Sequence, residues 1–168
     1  MLRHMIAGLA VSLISLPALA DEPVTIAEIG FGEDLIEKTD EYGERELERL
    51  AEEFREDLER ALAGIELADG TVLEATILDA DPNRPTMRQL SRNPGLSYIH
   101  SFSRGGAEVA ASLVSAEGDV LESYEYSWST PRIQDARHKS TWTDAQRTFR
   151  SFAHRIADDL QEREDAGS

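Results

Sequence analysis

Two stretches of this chain repeat an apolar side chain every three or four residues, and each needs a surface to cover it. In the first, Leu47, Leu50, Ala51, Phe54, Leu58, Ala61 and Leu62 fall on one side of a helix that starts near Gly43 or Glu44 and ends near Ala63, because a period of 3.6 brings such spacings into line. The other side carries Glu46, Arg49, Glu52, Glu53, Arg55, Glu56 and Arg60, with Glu56 and Arg60 in the favourable i,i+4 order. Gly64 is placed to end this helix in the left-handed conformation. In the second stretch, Ala145, Phe149, Phe152, Ala153, Ile156 and Leu160 make the buried stripe, with Trp142 over its start. Thr143 and Gln146 stand three apart just before that run, which is the spacing of a capping box.

The covering surface is a sheet. Residues 24–29 (VTIAEI) are short, β-branched and bounded by Pro23 and Gly30, as a strand is. Residues 71–79 (TVLEATILD) alternate Leu73, Ala75 and Ile77 with Val72, Glu74 and Thr76. A hairpin follows, with arms 107–115 and 120–128 around Ala116-Glu117-Gly118-Asp119, where Gly118 is available for positive φ. Residues 98–103 are expected as one more strand, separated from the hairpin by a bulge or bend at Gly105-Gly106. Residues 31–42 are read as a connection, and the Pro-rich segment 80–96 as a loop with a short helix at 86–91. The order β, α, β, loop, β, β, α gives an α+β fold: two amphipathic helices packed on a mixed, largely antiparallel sheet of four or five strands.

The amino terminus reads as an export signal. Met1 to His4 carry Arg3, residues 5–16 (MIAGLAVSLISL) hold no charge, and Pro17 precedes Ala18-Leu19-Ala20, a small-x-small pattern that places cleavage before Asp21. Twelve apolar residues fall short of the roughly 20 that a helix needs to span a bilayer. The expected layout is therefore a signal peptide at 1–20, a single domain at 21–160 and a polar tail at 161–168 (QEREDAGS). The chain has no cysteine, which excludes a disulfide-stapled fold and a lipid-anchored lipoprotein. A periplasmic location is expected, with an extracellular one as the alternative.

Residues 21–168 hold 16 Lys and Arg against 33 Asp and Glu, a formal charge of −17. Such a field repels nucleic acid and anionic headgroups, so neither is expected as a partner. No further membrane span is expected. Another envelope protein or a small solute remains.

Four runs, 42–50 (YGERELERL), 79–90 (DADPNRPTMRQL), 101–109 (SFSRGGAEV) and 141–145 (TWTDA), resemble a family of small exported proteobacterial proteins of unknown function. The resemblance spans most of residues 21–168 and implies the address and the single domain, with no chemistry attached. More loosely, two helices on a small sheet are similar to the sandwich domains of envelope assembly factors, an analogy of fold alone.

Candidate sites are few. Asp79, Asp81 and Asn83 are spaced as at the start of a calcium loop, but Arg84 and Leu90 stand where an EF-hand requires glycine and glutamate. Arg84, Arg88 and Arg92 are four apart around Pro85 and could clamp a carboxylate or phosphate, or pair with the chain's own acids. Tyr124, Tyr126 and Trp128 share one strand face, which either receives the helices or meets a partner. His100, His138 and His154 lack zinc-site spacing, and no nucleophile motif accompanies the serines. No cofactor and no metal are expected. The sequence points away from an enzyme, towards an interaction or accessory domain, with a small-ligand or weak cation-binding module using the 79–92 loop as the alternative and a hydrolase third.

Overall fold

The computed structural model describes residues 24–167, with side chains to Arg163. The expected signal peptide and its cleavage site lie outside the described residues.

The fold is α+β. A mixed sheet runs in the order β1 (Thr25–Ile26), β3 (Val72–Asp81), β4 (Gly106–Val114), β5 (Val120–Ser129), with β2 (Gly30–Phe31) also against β3. β1 and β2 are parallel to β3, and β3, β4 and β5 form an antiparallel meander. The helices are α1 (Glu33–Glu37), α2 (Thr39–Tyr42), α3 (Glu44–Ala61), α4 (Met87–Arg92) and α5 (Thr143–Gly167). No described helix is long and apolar enough to cross a membrane.

The helix stripes and strand alternation meet as their periods dictate. Leu47, Leu50, Phe54 and Leu58 of α3 join Phe149, Phe152 and Ile156 of α5 over Leu73, Ala75, Ile77, Val109, Ala111 and Leu113 in one core. Phe54 stacks on Phe149 with centroids 4.8 Å apart, and Tyr126 lies parallel to Phe152 at 6.4 Å. Burying each such side chain is worth about 1.5–3 kcal/mol. The other sheet face, with Glu74, Ser123, Glu125 and Ser127, stays exposed. Gly64 and Gly118 take φ of 85° and 89°, as their positions after α3 and in the hairpin turn require.

Several expectations fail for local reasons. Residues 24–29 do not form one strand: pairing with β3 stops after Ile26 and resumes at Gly30, and at the break Arg55 of α3 donates to the carbonyls of Ile26 (3.1 Å) and Ala27 (2.7 Å). The connection 31–42 holds α1 and α2, which bury Leu35 and Tyr42. Residues 98–103 are not a strand: Arg84 binds the carbonyls of Tyr98 and Ile99, and the Ser101 N–H turns back to the Ser97 carbonyl. The register shifts fall at Ile77/Asp79 and Leu113/Val114 rather than at Gly105-Gly106. Thr143 forms no capping box, since its hydroxyl accepts from the Ser140 N–H (2.9 Å) while the Gln146 amide reaches Glu53 (2.9 Å). The capping box is instead at Thr86 and Gln89, opening α4. The segment read as a polar tail continues α5 to Gly167.

Candidate functional site

The 79–92 loop that looked richest in chemistry divides into three clusters. At the end of β3, Lys38 binds Asp79 (2.6 and 2.8 Å) and Asp81 (3.1 Å), and the Tyr42 hydroxyl donates to Asp81 at 3.3 Å. Partial burial alone would lower the Lys38 ammonium, but its hydrogen bonds to Asp79 and Asp81 and their charges outweigh that and hold its pKa above the usual 10.5. Burial, with the Asp81 and Glu41 charges added, raises the Tyr42 hydroxyl above its usual 10.0. Next to this cluster Asp79, Asp81, Glu108, Ser127 and Ser129 line an open cleft of about 200 Å³.

Asn83 and Arg84 belong to a buried knot. The Asn83 amide donates to Asp144 at 2.5 Å and its carbonyl accepts from the Asp144 N–H at 3.0 Å. Lys139 binds the same carboxylate (2.6 Å) and the Thr130 hydroxyl (2.5 Å), which itself donates to Asp144. Asn83 and Thr130 are fully buried and Asp144 is 1% exposed. Gly105 makes the space: a Cβ there would lie 2.5 Å from the Asn83 side chain. Arg84 spreads its guanidinium over the carbonyls of Lys139 (3.0 Å), Tyr98 (2.9 Å), Ile99 (2.7 Å) and Arg137. Five N–H groups in a planar fork suit this use, which ties two loops together.

Arg88 and Arg92 converge, as their spacing implied, but without Arg84. Both donate to the Asp40 carbonyl, at 3.0 and 2.6 Å, and fasten α4 to α2.

The aromatic stripe lies on the helix side. Tyr124, Tyr126 and Trp128 are half-buried along β5, under α5. The Arg147 guanidinium sits 4.5 Å from the Trp128 ring centre and that of Arg155 4.6 Å from Tyr126. Tyr124 donates to Asp159 at 2.7 Å, and Arg163 joins Asp159 (2.9 Å) to Glu122 (2.7 Å). Burial and the bond to Asp159 push the Tyr124 hydroxyl above its usual 10.0.

Sequence reasoning missed the free edge that this seam borders. β5 pairs with β4 alone among the described strands. The Thr130 N–H donates inward to the Gly105 carbonyl at 2.9 Å, and residues two apart in an antiparallel ladder face the same way. The N–H and C=O groups of Ser123, Glu125 and Ser127 therefore point outward, and all three residues are exposed. The signal was available, since a hairpin closing a meander leaves its last strand at an edge unless another element returns to it.

Among the described residues no three His, Asp or Glu side chains converge as metal ligands. Compared with family models, curated proteins and solved structures, the chain matches none.

Proposed function

We propose that this chain is an exported, non-enzymatic interaction domain, an accessory to another envelope protein, and that the partner adds a strand to the outer edge of β5. The observation that carries it is that edge: ten residues long, with outward N–H and C=O groups on consecutive odd positions. Edge strands in natural proteins are usually blunted by proline, charged side chains (lysine above all), a bulge or extreme shortness. From Glu122 to Ser129 β5 has no proline or lysine, carries charge only at Glu122 and Glu125, and keeps an uninterrupted register with β4. Main-chain hydrogen bonds along such an edge supply affinity, and alternate side chains supply choice of partner. A copy of this chain is a poor occupant, because Glu125 stands in the middle of the edge and would face the same residue of the second copy.

The small-solute alternative draws less support. Arg84 is occupied by backbone carbonyls, Asn83 by Asp144, and Asp79 and Asp81 by Lys38.

A photo-crosslinking residue at Glu125 tests the proposal in intact cells, with the same residue at Glu52 on the outer side of α3 as control. One discrete adduct from position 125, absent from position 52 and lost when Ser127→Pro is added, is the expected result. Adducts equal at both sites, or unchanged by the proline, would sink it.

A further inference from the structure

The β5 edge lies beside a cationic seam on an acidic protein. Residues 130–163 hold seven Lys and Arg against five Asp and Glu, whereas residues 21–129 hold nine against 26. Within that basic segment, Arg147 and Arg155 are exposed and lie over the rings of Trp128 and Tyr126 on the helix side of the edge. Among the described residues neither forms an ion pair with a carboxylate. The third arginine of the row, Arg163, is already held by Glu122 and Asp159. On the opposite side of the same edge the charge reverses, because Glu125 projects between Ser123 and Ser127 and, among the described residues, forms no ion pair with a lysine or arginine.

A strand added here would send alternate side chains to these two sides. Resting on the strand-addition proposal above, we infer that the partner segment is an acidic strand of one-sided pattern, with Asp or Glu on the alternate positions that face α5 and uncharged residues between them. The guanidiniums of Arg147 and Arg155 meet the carboxylates of that strand, for which their planar donor forks are suited. Glu125 excludes a strand whose acids fall on the other alternation, so the charge pattern sets register as well as identity. The rings beneath the arginines hold each guanidinium at the edge and limit the side-chain freedom lost on binding.

Three ten-residue peptides test this against the mature protein: aspartate alternating with threonine, and the same peptide with glutamine or with lysine in place of aspartate. Trp128 at the edge and buried Trp142 are the only tryptophans, so a change in tryptophan emission on titration reports the edge. The aspartate peptide is expected to bind at least about tenfold tighter than the glutamine peptide, and the lysine peptide weakest. In the Arg147→Gln, Arg155→Gln double variant the aspartate and glutamine peptides should bind alike, and binding of the glutamine peptide should be unchanged. Equal affinity for aspartate and glutamine in the parent protein, with Ser127→Pro still abolishing both, overturns the acidic pattern and leaves strand addition standing. An aspartate preference that survives Ser127→Pro overturns strand addition itself. Failure of all three peptides to bind overturns both.

Discussion

Around Asp144 every polar side chain turns inward: Asn83, Thr130 and Lys139 share one carboxylate, and Arg84 next to them satisfies carbonyls from two loops. Along β5 the polar groups turn out, and those of the main chain at Ser123, Glu125 and Ser127 have no partner strand among the described residues. The first region is rich in charged and amide side chains and the second in serine and tyrosine. A dense run of polar residue types shows that hydrogen bonds are needed, and burial decides whether they are made within the chain or offered outside it. In the 80–105 region, proline and irregular backbone leave many carbonyls without a ladder, and a buried backbone group without a partner costs about as much as a lost hydrogen bond. Arg84 and Asn83 answer that need.

The sharpest way to break this contrast is to open the knot. Asp144→Ala leaves Lys139, 19% exposed at its side chain, beside a cavity without its carboxylate, and removal of one partner from such a pair costs about 3–5 kcal/mol. The urea midpoint should fall accordingly, and adding Lys139→Met should restore part of the loss by removing the stranded charge. A cost under about 1 kcal/mol would put Asp144 with ordinary surface pairs and dissolve the distinction. Gly105→Ala tests the same knot from its wall: the new methyl meets Asn83, which cannot retreat without releasing Asp144. Overpacking of this kind costs about 1–3 kcal/mol, again read as a shift in urea midpoint. The edge should behave in the opposite way. Ser127→Pro removes an N–H that bonds nothing in the ladder, so stability should stay within about 1 kcal/mol of the parent while strand addition is lost. A larger loss would mean that the edge is covered.

What sequence could show follows the same division. Periodicity located α3, α5, β3 and the hairpin because those elements bury side chains at intervals fixed by backbone geometry, as Leu50, Phe54, Phe149 and Ile77 do. It also placed Tyr124, Tyr126 and Trp128 on one face, and left open which face that was. The failures lie where one long side chain overrides local preference. Arg55 binds the carbonyls at the break in the first strand and Arg84 those of an expected strand at 98–103, each across 14–29 residues, a separation to which no local pattern is sensitive. The Thr143 and Gln146 spacing satisfied the capping rule, yet Gln146 had a better partner in Glu53 across the helix interface. Asn83 and Asp144 stand 61 residues apart, so their pairing lay beyond sequence reasoning altogether. The free edge was legible in part: a hairpin that closes a meander leaves its last strand outermost, and only the topology shows that no described strand returns beside β5.

The smallest effect compares two hydroxyls, one in the Lys38 cluster at the end of β3 and one in the β5 seam. Tyr42 is 4% exposed beside the Lys38 cluster and Tyr124 is half-buried in the β5 seam; burial raises the pKa of both above 10.0, and each donates to a carboxylate. A tyrosine whose folded pKa lies above its unfolded value binds its proton more tightly when folded, so its contribution is complete below about pH 10 and is lost as pH rises towards the folded value. Lys38, also raised, has the same sign. Stability should therefore begin to fall only near pH 10, and the 295 nm absorbance of these two tyrosinates should appear together with unfolding. Tyr124→Phe should cost about 0.5–1.5 kcal/mol at neutral pH and make the fall above pH 10 shallower, while the part due to Tyr42 and Lys38 persists. If the tyrosinate of Tyr124 instead forms in the folded chain near pH 10, its bond to Asp159 is open to water and the seam is looser than the Lys38 cluster by more than its exposure implies.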